Sequence, residues 1–349
     1  MKRYINNLII LIGIITLVSC SPDATKKQLY IEGDWLFNPL PEMVGINEVS
    51  VIQDERILIS STRGLYLDNG KGNWKSFGLE NYEVIDVVEL DSDEYLAATQ
   101  ATSIESGDTT LFKKTGNQDW VPFLQNFGGE ANTYTWIHDL EKSTDGSLFA
   151  AGTSNVIRTT DSGNSWANVY LDWNYLGFIF FVRSDKKNPD IVWAGGSNAV
   201  FEPVLLRSSN NGKEWNRLEV IKNVETNILD AIINPKSSRE IMVSSDPIAF
   251  IRRSTNNGET WETVQEGNII LSFFESVMNT NIIYASGINQ NGTLFFTASN
   301  NFGDTWQTIV FENGPTGIRV NDMISVLQDG KEVLYFGTNK GLYSFTIEN

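Results

Sequence analysis

Six tryptophans recur along the chain at positions 74, 120, 166, 215, 261 and 306, with steps of 46, 46, 49, 46 and 45 residues. Four of them close one spelling, Ser/Thr-x-Asp/Asn-x-Gly-x-x-Trp: "TTDSGNSW" at Thr159, "SSNNGKEW" at Ser208, "STNNGETW" at Ser254 and "SNNFGDTW" at Ser299. Around Trp74 ("LDNGKGNW") and Trp120 ("KKTGNQDW") the turn is degenerate but keeps a glycine and polar residues. A repeat of this length, built of short β-rich runs with no sustained helical period, is one four-stranded blade of a propeller. In the fifth unit the strands read as 227–234, 239–245, 250–254 and 260–264.

The termini determine the number of blades. After Trp306 the chain has room for three strands, 318–326, 332–338 and 341–347, and ends before another tryptophan is due. A fourth strand is available at the start, in "GDWLFN" around Trp35. Closing the ring with one N-terminal and three C-terminal strands pairs both open edges. The expected fold is therefore all-β: a seven-bladed β-propeller of four-stranded antiparallel blades over residues 33–349.

Within each turn the Asp or Asn can accept hydrogen bonds from local amides, the glycine permits positive φ, and the tryptophan packs between blades. The residues concerned are Asp161, Gly163 and Trp166; Asn210, Gly212 and Trp215; Asn256, Gly258 and Trp261; and Asn301, Gly303 and Trp306. In this spelling the motif resembles the Asp-box, or BNR repeat, of the sialidase superfamily, sortilin-type receptors, some xyloglucan hydrolases and photosystem II assembly-factor propellers. The resemblance implies peripheral structural joints, away from the face where such proteins bind ligands. It does not imply an activity.

Ahead of the repeats, Lys2 and Arg3 precede the apolar run "LIILIGIITLV" at 8–18, too short for a permanent membrane span. It reads as a signal peptide over residues 1–19, ending in "LVSC", which resembles a bacterial lipobox with Cys20 as the lipidated residue. Cys20 is the only cysteine, so it has no disulfide partner within the chain. Residues 20–32 read as a polar tether. Acyl chains anchor without spanning, and Ser21 in place of an acidic residue favours the outer membrane. The expected location is the cell envelope. A formal charge of -17 argues against nucleic-acid partners.

The resemblance to sialidases would imply an arginine triad and a tyrosine nucleophile, with the first arginine in a Phe/Tyr-Arg-Ile-Pro sequence that is absent here. Arg63, Arg158, Arg207 and Arg253 recur at or just before third strands, a scaffold register; Arg183 and Arg319 fall on inner strands. Xyloglucan hydrolases of this class resemble two propellers facing across a cleft, and one propeller supplies one wall. No metalloprotease, P-loop, Gly-x-Ser-x-Gly or Cys/His metal motif is present. The one histidine, His138, neighbours Asp139, but strand neighbours point to opposite faces unless the strand bends.

Two residue sets remain as candidates. Inner strands carry acidic residues at matching places, Glu48, Asp86, Asp139, Asp230 and Asp322, with Phe180 and Ser272 near that place in the other two blades. Such a ring either caps neighbouring amides or forms an acidic channel holding calcium or a basic peptide. The second set departs from the tryptophan register: Trp136 and Trp173, with Tyr134, His138 and Tyr175, around the connections into blades 3 and 4. Aromatic residues there can stack on sugars or anchor a peptide. The chain reads as a non-catalytic, membrane-anchored binding or assembly module for a protein or glycan. The alternative is a glycoside hydrolase with a nonstandard active site.

Overall fold

The computed structural model describes residues 29–348 except 70–71, 92, 101–109, 124–135, 172–176 and 223. Its strands form seven four-stranded antiparallel sheets around one axis. Blades 1 to 6 begin with inner strands Ile46–Val51, Val84–Asp91, Ile137–Lys142, Gly177–Ser184, Asn227–Asn234 and Ile269–Glu275. Blade 7 is mixed: Val320–Gln328, Lys331–Thr338 and Gly341–Glu348 are completed on the outside by Glu32–Asn38. That seam pairs Trp35 with Phe345 and Phe37 with Tyr343. The expected closure is thus present. Among the described residues there is one 3-10 turn, Gln53–Glu55, and no α-helix.

The seven tryptophans in register do one job. Each packs with one of seven apolar clusters, and each cluster is shared by two adjacent blades: Trp74 between blades 7 and 1, Trp120 between 1 and 2, Trp166 between 2 and 3, Trp215 between 3 and 4. Trp261, Trp306 and Trp35 continue the series to blade 7. The period in sequence is therefore the period of inter-blade burial, the main stabilising term of such a ring.

The repeated turns hold these rings in place. Thr260 N donates to Asn256 Oδ1 at 2.9 Å, Thr305 N to Asn301 Oδ1 at 2.9 Å, Glu214 N to Asn210 Oδ1 at 2.9 Å and Ser165 N to Asp161 Oδ1 at 2.8 Å. The opening Ser or Thr hydroxyl accepts from the glycine amide in all four. Because Thr260 belongs to this turn, the outer strand of blade 5 is Glu262–Glu266, two residues later than the pattern suggests. Three of the four arginines in the scaffold register share a cause, whereas Arg63 pairs with Glu42 instead. Arg158 donates to Asn211 Oδ1, Arg207 to Asn257 Oδ1 and Arg253 to Phe302 O, the equivalent residue in the turn of the next blade each time.

Candidate functional site: an axial cavity lined by a carboxylate ring

All seven inner strands carry a β-bulge, at 47–48, 85–86, 138–139, 180–181, 229–230, 271–272 and 321–322. A bulge places two residues opposite one and re-aims side chains. The second residue of each pair defines the ring: Glu48, Asp86, Asp139, Phe181, Asp230, Ser272 and Asp322. In blade 4 the position belongs to Phe181, not to the Phe180 expected from sequence; Phe180 is the inserted residue.

The acidic members each accept a main-chain N–H from the following blade. Asp322 Oδ2 takes Val49 N at 3.0 Å, Glu48 Oε2 takes Val87 N at 3.0 Å and Asp86 Oδ2 takes Leu140 N at 2.5 Å. Asp139 Oδ2 takes Val182 N at 2.8 Å and Asp230 Oδ2 takes Phe273 N at 2.9 Å. Ser272 substitutes its hydroxyl, accepting Met323 N at 3.2 Å and donating to Asp322 Oδ1 at 2.8 Å. Phe181 has no acceptor to offer. At that joint Arg183 reaches both sides instead, with Nη1 2.9 Å from Asp139 and Nη2 2.8 Å from Asp230.

The electrostatics follow from this wiring. Burial, then the Asp86 and Asp322 charges, push Glu48 well above the usual carboxylate range. Burial lifts Asp86 and Asp230 to about 6 and raises Asp322 and Glu141 as well. Arg183 is disfavoured as a cation by burial, but Asp139 and Asp230 outweigh that and hold its proton more firmly than usual.

The ring surrounds a cavity of about 790 Å³, within the range of ligand pockets. Its lining includes Glu48, Asp86, Asp139, Arg183, Arg319 and Asp322, with His138 and Phe180 beside them. The bulge brings His138 and Asp139 to the same cavity, the strand bend that the sequence pattern left open. They do not form a dyad. Asp139 is taken by Val182 and Arg183, whereas the His138 ring stands edge-on to Phe178 and Phe180 at 5.6 and 6.0 Å, and its Nε2 has no partner among the described residues. Burial lowers His138 to about 4, so it is neutral near pH 7.

Of the aromatic set off the tryptophan register, Trp136 is 37 % exposed just before the inner strand of blade 3 and is not part of the cavity lining. Tyr134, Trp173 and Tyr175 lie outside the described residues, as do Cys20 and the segment read from sequence as a signal peptide. Of the residues read from sequence as a tether, 29–32 are described: Leu29 and Ile31 pack against the apolar cluster between blades 6 and 7, and Glu32 opens the outer strand of blade 7. Sequence reasoning missed Phe181 as the ring residue of blade 4 and Arg183 as the hub of the ring. Among the described residues no group of three His, Cys, Asp or Glu is arranged to hold a metal ion. The calcium alternative therefore finds no ligand set there.

No protein-family profile matches the chain, and no curated protein matches it. Solved structures do match in fold. YCF48 from Cyanidioschyzon merolae aligns with a TM-score of 0.65 at 13 % identity, over 89 % of this chain and 98 % of that one; a structure of YCF48 bound to D1 peptide aligns at 0.62 and 15 %, over 90 % and 97 %. A catalytically inactive virginiamycin B lyase from Staphylococcus aureus with quinupristin aligns at 0.67 and 12 %, over 90 % and 99 %. The GH74 xyloglucanase from Xanthomonas campestris aligns at 0.66 and 15 %, and this chain spans 53 % of its length. At these identities the likeness establishes the seven-bladed propeller and nothing finer.

Proposed function

We propose that the chain is a lipid-anchored binding module of the bacterial cell envelope, held by Cys20 in the outer membrane, whose axial cavity receives a segment of a protein partner. One observation carries the reading: each ring carboxylate is bound to the amide of a neighbouring blade, so the acidic ring is a structural hoop around a recess. A hoop of this kind leaves a preformed pocket of fixed shape, which suits binding. The structure of YCF48 bound to D1 peptide, a propeller of the same fold, is consistent with a protein ligand. The repeated turns serve as Asp-box joints in this reading.

Binding to a peptide array and a glycan array, run beside a panel of chromogenic glycosides and xyloglucan, tests the proposal. The expected result is peptide binding that weakens tenfold or more in Phe180→Ala, with no turnover. Turnover abolished by Asp139→Asn in a protein that still melts cooperatively overturns it. The anchor is tested separately: Cys20→Ala is expected to move the protein from the membrane to the soluble envelope fraction.

A further inference from the structure

The ring is unevenly charged. Arg183 lies against Asp139 and Asp230, whereas Asp322, Glu48 and Asp86 follow one another on blades 7, 1 and 2 with no ion pair among the described residues. Glu48 is faced by Asp86 and Asp322; Asp86 is faced by Glu48, Asp139 and the Arg183 field.

Asp86 is the most buried of these three carboxyls. It is 5 % exposed and lines the cavity; its Oδ2 is used by Leu140, and its buried Oδ1 has no donor among the described residues other than the Glu48 carboxyl beside it. A buried carboxylate oxygen without a donor is disfavoured. Its neighbour Glu48 is another carboxyl and can satisfy it only by carrying a proton. Of the basic groups in the lining, Arg183 pairs with Asp139 and Asp230 and Lys186 with Glu275, and among the described residues none pairs with Glu48 or Asp86, which leaves a seat for positive charge there. Further round the same wall, His138 and Phe180 supply an aromatic surface.

We infer that the cavity takes its ligand by a positively charged nitrogen, a primary ammonium or guanidinium, seated against Glu48 and Asp86 with the adjoining apolar part against Phe180 and His138. The inference rests on the binding reading above and names the chemistry of that site; in a protein partner the group is a lysine, an arginine or a free N-terminus. The incoming charge replaces the proton shared by Glu48 and Asp86, so binding near neutral pH releases protons to buffer.

Calorimetric titration of the intact propeller with acetyl-Phe-Lys-Phe-amide, the same peptide with an Nε-acetylated lysine, and butylammonium tests it. The lysine peptide is expected to bind at least tenfold more tightly than the acetylated one, with a heat that varies with the ionisation enthalpy of the buffer. Glu48→Gln with Asp86→Asn keeps both amide acceptors; it should erase that difference and the buffer dependence while leaving the acetylated peptide unchanged. Butylammonium binding as tightly as the lysine peptide supports the cation seat and assigns it to a small amine. Equal affinity for the two peptides overturns the inference and leaves the binding module standing. Binding by neither also overturns it, and the arrays then judge the module independently.

Discussion

Arg183 Nη2 stands 2.8 Å from Asp230 Oδ1, across the joint where Phe181 leaves blade 4 without an acceptor for blade 5. The same guanidinium holds Asp139 from the other side. Removing one partner of a buried pair leaves an uncompensated charge, which costs more than the pair contributes. Arg183→Met is therefore expected to destabilise the propeller by about 2–3 kcal/mol at pH 8, allowing for solvent at a side chain 32 % exposed. The loss should shrink towards pH 5 as Asp230 takes up a proton. Urea melts at both pH values measure it; an equal loss at each would contradict the assignment.

The seam depends on Trp35 in the same way that the other joints depend on their tryptophans. Its ring stacks on Phe311 at 5.3 Å and meets Phe345 edge-on at 5.0 Å. Trp35→Ala should cost about 3 kcal/mol. A strand that closes a ring also protects an edge, so the variant should self-associate on mild heating. Light scattering alongside the melt reads both effects.

Gly258 shows what a turn glycine does here. Its φ is +84°, and a Cβ would lie 2.7 Å from Leu218 Cδ1 and 3.1 Å from Trp193. Gly258→Ala combines left-handed strain with a clash into a fully buried ring. A loss of about 2–4 kcal/mol is expected. Gly146, also at positive φ but with open space around it, should lose only about 1 kcal/mol on the same change. The difference between the two melts isolates the packing contribution.

These turns and tryptophans are readable in a sequence because their determinants are local: a hydroxyl, an amide oxygen and a glycine within five residues, then an indole at fixed distance. The acidic ring was half readable for the same reason, since Glu48, Asp86, Asp139, Asp230 and Asp322 recur in register. Its wiring was not. The bulge that turns His138 and Asp139 to one cavity is a shift in pairing with the second strand and has no residue signature. Hence the sequence pattern points to Phe180 in blade 4, while Phe181 holds the ring position. Arg183 was visible as an inner-strand arginine, but its partners come from blades 3 and 5 and meet only when the ring closes. Trp136 departed from the pattern in sequence, yet in the fold it stands apart from the cavity lining.

The buried carboxyls make stability depend on pH in a direction opposite to ordinary acid unfolding. Asp86 and Asp230 stand at about 6 in the folded protein against ordinary values of 3.8, with Glu48, Asp322 and Glu141 also raised. A raised folded value means that the unfolded chain gives up its protons first. The stabilisation is thus complete below about pH 4 and is lost as pH climbs through about 6. His138 works against this. Its folded value of about 4 lies below the ordinary 6.5, so its contribution is present above 6.5 and lost as pH falls through 4. Several carboxyls outweigh one imidazole, and the net change from pH 4.5 to pH 8 should be a loss on the order of 2 kcal/mol. Glu48→Gln removes the most strongly opposed ionisation and should raise the melting temperature at pH 8 while flattening the profile. His138→Phe removes the opposing group and should steepen it. A wild-type profile that rises from pH 4.5 to pH 8 would show that the ring carboxyls are ionised at little cost, which would remove the basis for proton release when a cation binds at Glu48 and Asp86.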